Sequence, residues 1–215
     1  MVNWEVIDNV FLDMDGTLLD LHFDNYFWLE HLPVRYAHIK DQHPSEVRQF
    51  LTGQYDKLRG KLDWYCLEYW QRQLEVDIVD LKREISDKIQ LRPNVLAFLT
   101  ALRKAGKHVA LVSNAHPWSI ALKVEQVLPA DYFDAIHSSH DFGHPKEEQE
   151  FWQGLHTEKG FDAARTLFID DNEDVLSSAE RYGIGHLLGI YQPDMKLAPM
   201  RPGRFRQIHD FEDLI

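Results

Sequence analysis

Strand-like runs recur along this chain at Val10 to Leu12, Val109 to Val112, Ala135 to Ser138, Thr166 to Ile169 and Leu187 to Tyr191. Runs this short, bounded by polar and turn-forming residues, predict buried strands of a parallel sheet. Between the later runs the apolar spacing becomes helical. Val95, Phe98, Leu99 and Leu102 share one helix face and stop before Gly106; Val175, Leu176, Ala179 and Tyr182 do the same and stop at Gly183. Both glycines suit a helix C-terminus. Strands that alternate with helices predict an α/β fold, a Rossmann-like, doubly wound parallel sheet.

One interval breaks the alternation. From residue 21 to residue 90, about seventy residues carry helical patterning and few strand signals, too much for a simple crossover. Val47, Phe50, Leu51, Tyr55 and Leu58 make one stripe; Ile78, Leu81, Ile85 and Ile89 make another. The pattern predicts an inserted helical domain over residues 21–90, covering the end of the first strand. Residues 1–20 and 91–215 would form the core. Pro193, Pro199, Pro202 and Gly203 predict an irregular tail, with a short turn from Asp210 to Ile215 packing back.

Composition narrows the class. The 215 residues are 44% apolar and 27% charged, ordinary for a globular protein with one full core and a small accessory domain. A net charge of −12 without a Lys/Arg block argues against a nucleic-acid or anionic-membrane partner. The single cysteine, Cys66, excludes an internal disulfide framework and reads as a buried structural thiol. With no leader-like start and no run long enough to span a bilayer, the cytoplasm is the expected compartment. Nothing in the sequence sets an oligomeric state.

The chemistry gathers at the strand ends. Asp13-Met14-Asp15-Gly16-Thr17 follows the first run directly. Two acids so placed repel each other unless a cation sits between them or one is protonated. That points to a metal, to acid–base chemistry, or to both. Ser113-Asn114 follows the second strand, Lys146 lies beyond the third, and Asp170-Asp171 follows the fourth. In open α/β sheets this rim is where ligands bind. Singly, each has a plain reading: a turn, a helix cap, a surface lysine, another cap. Jointly, they fall on one rim of one sheet.

DMDGTLLD, LVSNA, HPKEE and FIDDNED resemble, in order and spacing, the four motifs of the haloacid dehalogenase superfamily. The resemblance implies the roles that follow. Asp13 would be the nucleophile, forming an aspartyl-phosphate. Asp15 would protonate the leaving oxygen and then activate water, which requires a raised pKa. Mg²⁺ would be held by Asp13, the Asp15 carbonyl and Asp171, with Asp170 acting through water. Ser113 and Asn114 would donate to the phosphoryl oxygens, Lys146 would neutralise charge, and Thr17 would orient the loop. Asp174 reads as an outer acid or as a first-turn helix charge.

The insertion resembles the lid of the subgroup with a C1-type cap. Its many aromatics read mostly as bundle core, yet a planar base could stack on those near the site. Asn25 and Trp28 are the favoured cap contacts, and His116 reads equally as a phosphate or ribose contact and as a cap-domain or structural histidine. DMDGTLLDLHFDNYFW, LDWYCLEYW and SNAHPWSIALKVE are similar to the bacterial purine nucleotidases of the superfamily. That resemblance implies a Mg²⁺-dependent phosphomonoesterase acting on GMP and IMP, with a small phosphomonoester as its one partner. The alternatives are a phosphatase or phosphomutase for another small phosphate, such as phosphoglycolate or a sugar phosphate, and a non-catalytic phosphate-binding module. A dehalogenase is disfavoured because dehalogenation has no need of Asp15.

Overall fold

All five predicted strands form, and a sixth joins them. A computed structural model describes residues 2–199, 201 and 203–215; Pro202, one of the breakers read in the tail, lies outside the described residues. The strands are β1 (Asn9–Leu12), β2 (His108–Ser113), β3 (Ala135–Ser138), β4 (Thr166–Ile169), β5 (His186–Ile190) and β6 (Gln207–Ile208). They make one parallel sheet in the order β3-β2-β1-β4-β5-β6. The added strand β6 corrects the irregular-tail expectation. It is two residues long, and it escapes a pattern search because no periodicity fits in that length.

Ten α-helices of four to fifteen residues are found among the described residues. In chain order they are α1 (His22–Tyr26), α2 (Leu32–Lys40), α3 (Pro44–Leu58), α4 (Leu62–Tyr65), α5 (Leu67–Leu74) and α6 (Ile78–Arg83) between β1 and β2. Then come α7 (Val95–Lys104), α8 (Pro117–Gln126), α9 (Gln149–Lys159) and α10 (Glu173–Tyr182). A π-helical turn, Phe27–His31, joins α1 to α2. Gly183 ends α10 with φ 108°, a left-handed conformation that costs glycine little.

Alternate residues of the strands feed two cores. Val10, Leu12, Leu111 and Ile169 pack with α7 and with the inserted helices. Phe11, Ala110, Val112 and Phe168 pack with Phe151, Trp152 and Val175 of α9 and α10. This is the doubly wound arrangement. The first cluster runs without a break into the insertion, taking in Phe23, Phe27, Leu51, Trp70 and Ile78.

The chain leaves for the insertion and returns at one place. Leu19 bridges Leu91, Asp20 N–H donates to the Gln90 carbonyl (2.9 Å) and Arg92 N–H donates to that of Leu18 (2.9 Å). Of the α3 stripe, Val47, Leu51, Tyr55 and Leu58 are buried, but Phe50 is 44% exposed. It sits at the side of that stripe and stacks on Tyr36 instead (centroids 6.4 Å). Ile78, Leu81, Ile85 and Ile89 are all buried. Cys66 is half-buried rather than buried; its sulfur caps α5 by accepting the Tyr69 N–H (3.4 Å). Among the described residues no helix is long and apolar enough to cross a membrane.

Candidate active site

Strand register places the acids. Leu12 pairs with Ile169, so Asp13 and Asp170 emerge together, one step beyond the hydrogen-bonded ends of β1 and β4. These strands flank the point where the sheet order reverses, the usual position of a ligand crevice. Lys146 enters from the loop after β3. Its ammonium donates to Asp13 Oδ1 (2.6 Å), to Asp170 Oδ2 (2.7 Å) and to the Val112 carbonyl (3.0 Å). All three of its N–H bonds are used, and the side chain is buried. Burial opposes its charge, but Asp13 and Asp170 outweigh that and push the ammonium's pKa up.

Asp13, Asp170 and Asp171 each present an oxygen within 4.8 Å of the others. Burial, with Asp170 as neighbour, raises Asp13 to about 6. Burial raises Asp170 as well. Burial, then Asp170 and Asp13, lift Asp171 well above the carboxylate range. Three carboxylates thus crowd together with one ammonium, which bonds two of them, and their oxygens are the hard donors that suit Mg²⁺. Asp170 is occupied on both oxygens, by Lys146 and by the Asn172 N–H (2.8 Å). Gly16 makes room for Asp171: a Cβ on it would stand 2.5 Å from Asp171 Oδ2, and its φ is +84°.

Asp15 belongs to a second ionic cluster, whose two lysines were not among the expected site residues. Lys123 of α8 donates to Asp15 Oδ1 (2.6 Å) and to Asp24 Oδ2 (2.7 Å), and Lys82 of α6 donates to Asp24 Oδ1 (2.8 Å). Lys123 and Lys82 are both buried. Burial, then the Asp24 charge, raises Asp15 to about 7 despite Lys123. Burial would raise Asp24 too, but Lys123 and Lys82 together hold it below the usual range. One sequence signal was available: Lys123 falls on the same face of α8 as buried Ser119 and Ile120.

Ser113 and Asn114 lie where the sequence puts them, at the end of β2. Ser113 Oγ accepts the Ala115 N–H (3.0 Å). Asn114 braces the lysine loop: its Oδ1 accepts the Lys146 N–H (2.8 Å) and its Nδ2 donates to Glu147 (2.9 Å). Glu147 in turn accepts the Tyr65 hydroxyl (2.8 Å). His116 caps α8, its Nδ1 accepting the Trp118 N–H, while Nε2 meets Glu68 at 2.6 Å. Both ring nitrogens are therefore engaged by protein. Burial lowers its pKa.

A cavity of about 500 Å³ joins these groups to the insertion, a size ordinary for small-molecule sites. Its wall includes Asp13, Asp15, Ser113, Asn114, His116, Lys146, Asp170 and Asp171, and from α1 and the π-helical turn Asn25 and Trp28. Asn25 donates to Asp194 (2.9 Å). Trp28 stacks on Trp64 (centroids 6.0 Å) and meets Tyr55 edge-on (5.9 Å). Thr17 is the exception among the sequence-predicted residues: it is fully buried and no part of the cavity wall. Asp174 is exposed in the first turn of α10, away from the cavity.

Residues 7–183 match the haloacid dehalogenase-like hydrolase family. The GMP/IMP nucleotidase YrfG of Escherichia coli K12 is 40% identical over 214 residues, all of this chain and 96% of the relative. Among solved structures, a haloacid dehalogenase-type phosphatase from Thermococcus onnurineus superposes with a TM-score of 0.81 at 18% identity, covering 97% of this chain and 96% of that one. The hydrolase YfnB of Bacillus subtilis, bound to magnesium, gives 0.61 at 17% identity, with 97% and 96% covered. At such identities the two structures speak for the fold alone, whereas the family match and the full-length likeness to YrfG settle descent: the chain belongs to the haloacid dehalogenase-like hydrolases.

Proposed function

We propose that this hydrolase is a Mg²⁺-dependent phosphomonoesterase that cleaves purine nucleoside 5′-monophosphates, GMP and IMP, through an aspartyl-phosphate. One observation carries the chemistry: Lys146 bridges Asp13 and Asp170 at 2.6 and 2.7 Å, with Asp171 completing a cluster of three carboxylates. The substrate rests on likeness to YrfG along the whole chain, insertion included.

Asp13 attacks phosphorus while the bond to the nucleoside O5′ breaks. Asp15, neutral at the outset, passes its proton to that oxygen. Water then attacks the phosphoryl group and gives a proton to Asp15, releasing phosphate and restoring Asp13. Lys146 keeps Asp13 oriented and offsets charge on the phosphoryl oxygens. Ser113 offers its hydroxyl proton to the same oxygens. Asp13, Asp171 and the Asp15 carbonyl would hold Mg²⁺, with Asp170 through water; the ion would draw off charge from the phosphoryl oxygens. Residues 21–90 would act as a cap over residues 1–20 and 91–215, excluding water from the site.

Phosphate release measured across GMP, IMP, AMP and a set of sugar phosphates tests the reading. GMP and IMP are expected to give the highest kcat/KM. A sugar phosphate turned over far better than any nucleotide would overturn the substrate assignment.

A further inference from the structure

The cavity is deeper than a phosphate requires, and its wall can be followed outward from the strand ends. Lys146 adjoins Glu147, which holds the Tyr65 hydroxyl at 2.8 Å. Tyr65 ends α4, and the preceding residue, Trp64, stacks on Trp28 and meets Tyr55 edge-on at 5.3 Å. Tyr55 lies in the last turns of α3, and the next cavity-lining residues there are Asp56 and Arg59. The path runs from a phosphoryl end, along ring faces, to one acid and one guanidinium.

These two differ from the other charged groups of the wall. Asp13 and Asp170 are tied to Lys146, and Asp24 to Lys82 and Lys123. Asp56 and Arg59 meet only loosely, at 3.9 Å, and are 66% and 84% exposed. Neither is committed to the fold, so a ligand can recruit both at little structural cost.

Hypoxanthine and guanine share one edge: an N1–H donor beside an O6 acceptor. Guanine adds a second donor, its N2 amino group. A carboxylate matches the donors and a guanidinium matches O6 and N7. Adenine reverses this edge, with an acceptor at N1 and a donor at position 6. A carboxylate facing N1 of adenine would set two acceptors against each other, which discriminates by repulsion as well as by attraction.

We infer that Asp56 and Arg59 are the specificity-determining residues for the base, Asp56 accepting from N1–H and from the guanine amino group, and Arg59 donating to O6 and N7. This rests on the nucleotidase reading above and deepens it. The bland role for both residues is solvation of the end of α3, and that role makes no distinction among bases.

The test compares kcat/KM for GMP, IMP, AMP and p-nitrophenyl phosphate in the full chain and in Asp56→Ala and Arg59→Met, with thermal melting as the check on folding. In Asp56→Ala the GMP-to-AMP ratio is expected to fall about tenfold, with a larger loss for GMP than for IMP. In Arg59→Met the ratio of GMP to p-nitrophenyl phosphate is expected to fall for want of the O6 contact. If both folded variants keep the GMP-to-AMP ratio of the unsubstituted chain, the inference is overturned and the nucleotidase reading stands. If the unsubstituted chain cleaves p-nitrophenyl phosphate but no nucleotide better than a sugar phosphate, the nucleotidase reading fails and takes the inference with it.

Discussion

At the strand ends, Asp13, Asp170 and Lys146 are buried against opposite charges, each fixed by bonds of 2.6–2.7 Å. Along the insertion, the same cavity is walled by Trp28, Tyr55, Trp64 and Tyr65, and at its outer end two charged groups, Asp56 and Arg59, stand in solvent. The first region concentrates charge where a phosphoryl group would react, so its contribution is electrostatic and indifferent to the rest of the ester. The second offers ring area and an adaptable polar edge, the materials of recognition. Changes to the rim should therefore affect every ester alike, and changes to the wall should sort esters by their leaving group.

The largest effect is expected at the nucleophile. Asp13→Asn keeps the shape and removes the attacking oxygen, so kcat for GMP and for p-nitrophenyl phosphate should fall together by on the order of 10³-fold or more. Steady-state phosphate release measures this. Chelation by EDTA should abolish turnover of both esters, and added Mg²⁺ should restore it; turnover that survives EDTA would remove the metal from the account.

Smaller effects follow outward from the rim. Lys123→Met leaves Asp15 and Asp24 without their shared ammonium, which should lower stability by about 3–5 kcal/mol as read from the denaturant midpoint. Trp64→Ala should weaken nucleotide binding by about 1–3 kcal/mol, the worth of one stacking platform, and change KM for GMP more than KM for p-nitrophenyl phosphate. Equal changes in both would mean that Trp64 packs the bundle and does not sort substrates. Phe50→Ser, on the exposed side of α3, should shift stability by less than about 0.5 kcal/mol.

What was legible in the sequence follows the same division. The strand at residues 166–169 is found where its pattern puts it, because each residue there is buried between two cores; the one at 135–138 is found too, though as an edge strand it buries only its last two residues. The rim acids were legible because turns and strand ends tie position to sequence: Asp13 and Asp170 share a register that the two apolar runs already imply. Lys82 and Lys123 were not. A charge on an amphipathic helix reads as a solvated face, and the packing of α1, α6 and α8 shows that both ammonium groups are buried, each against Asp24. Asp56 and Arg59 were silent for the opposite reason, being ordinary exposed charges near a helix end whose meaning comes from the cavity beside them. Thr17 is buried outside the cavity wall, where a motif position alone could not have placed it.

The most direct test of the central claim is to trap the phosphoryl group on the protein. The full chain, mixed with GMP radiolabelled in its phosphate and quenched in acid, should carry label on the peptide that contains Asp13, and hydroxylamine should release it. Label on a different residue, or undiminished GMP hydrolysis by Asp13→Asn under the same conditions, would contradict the account.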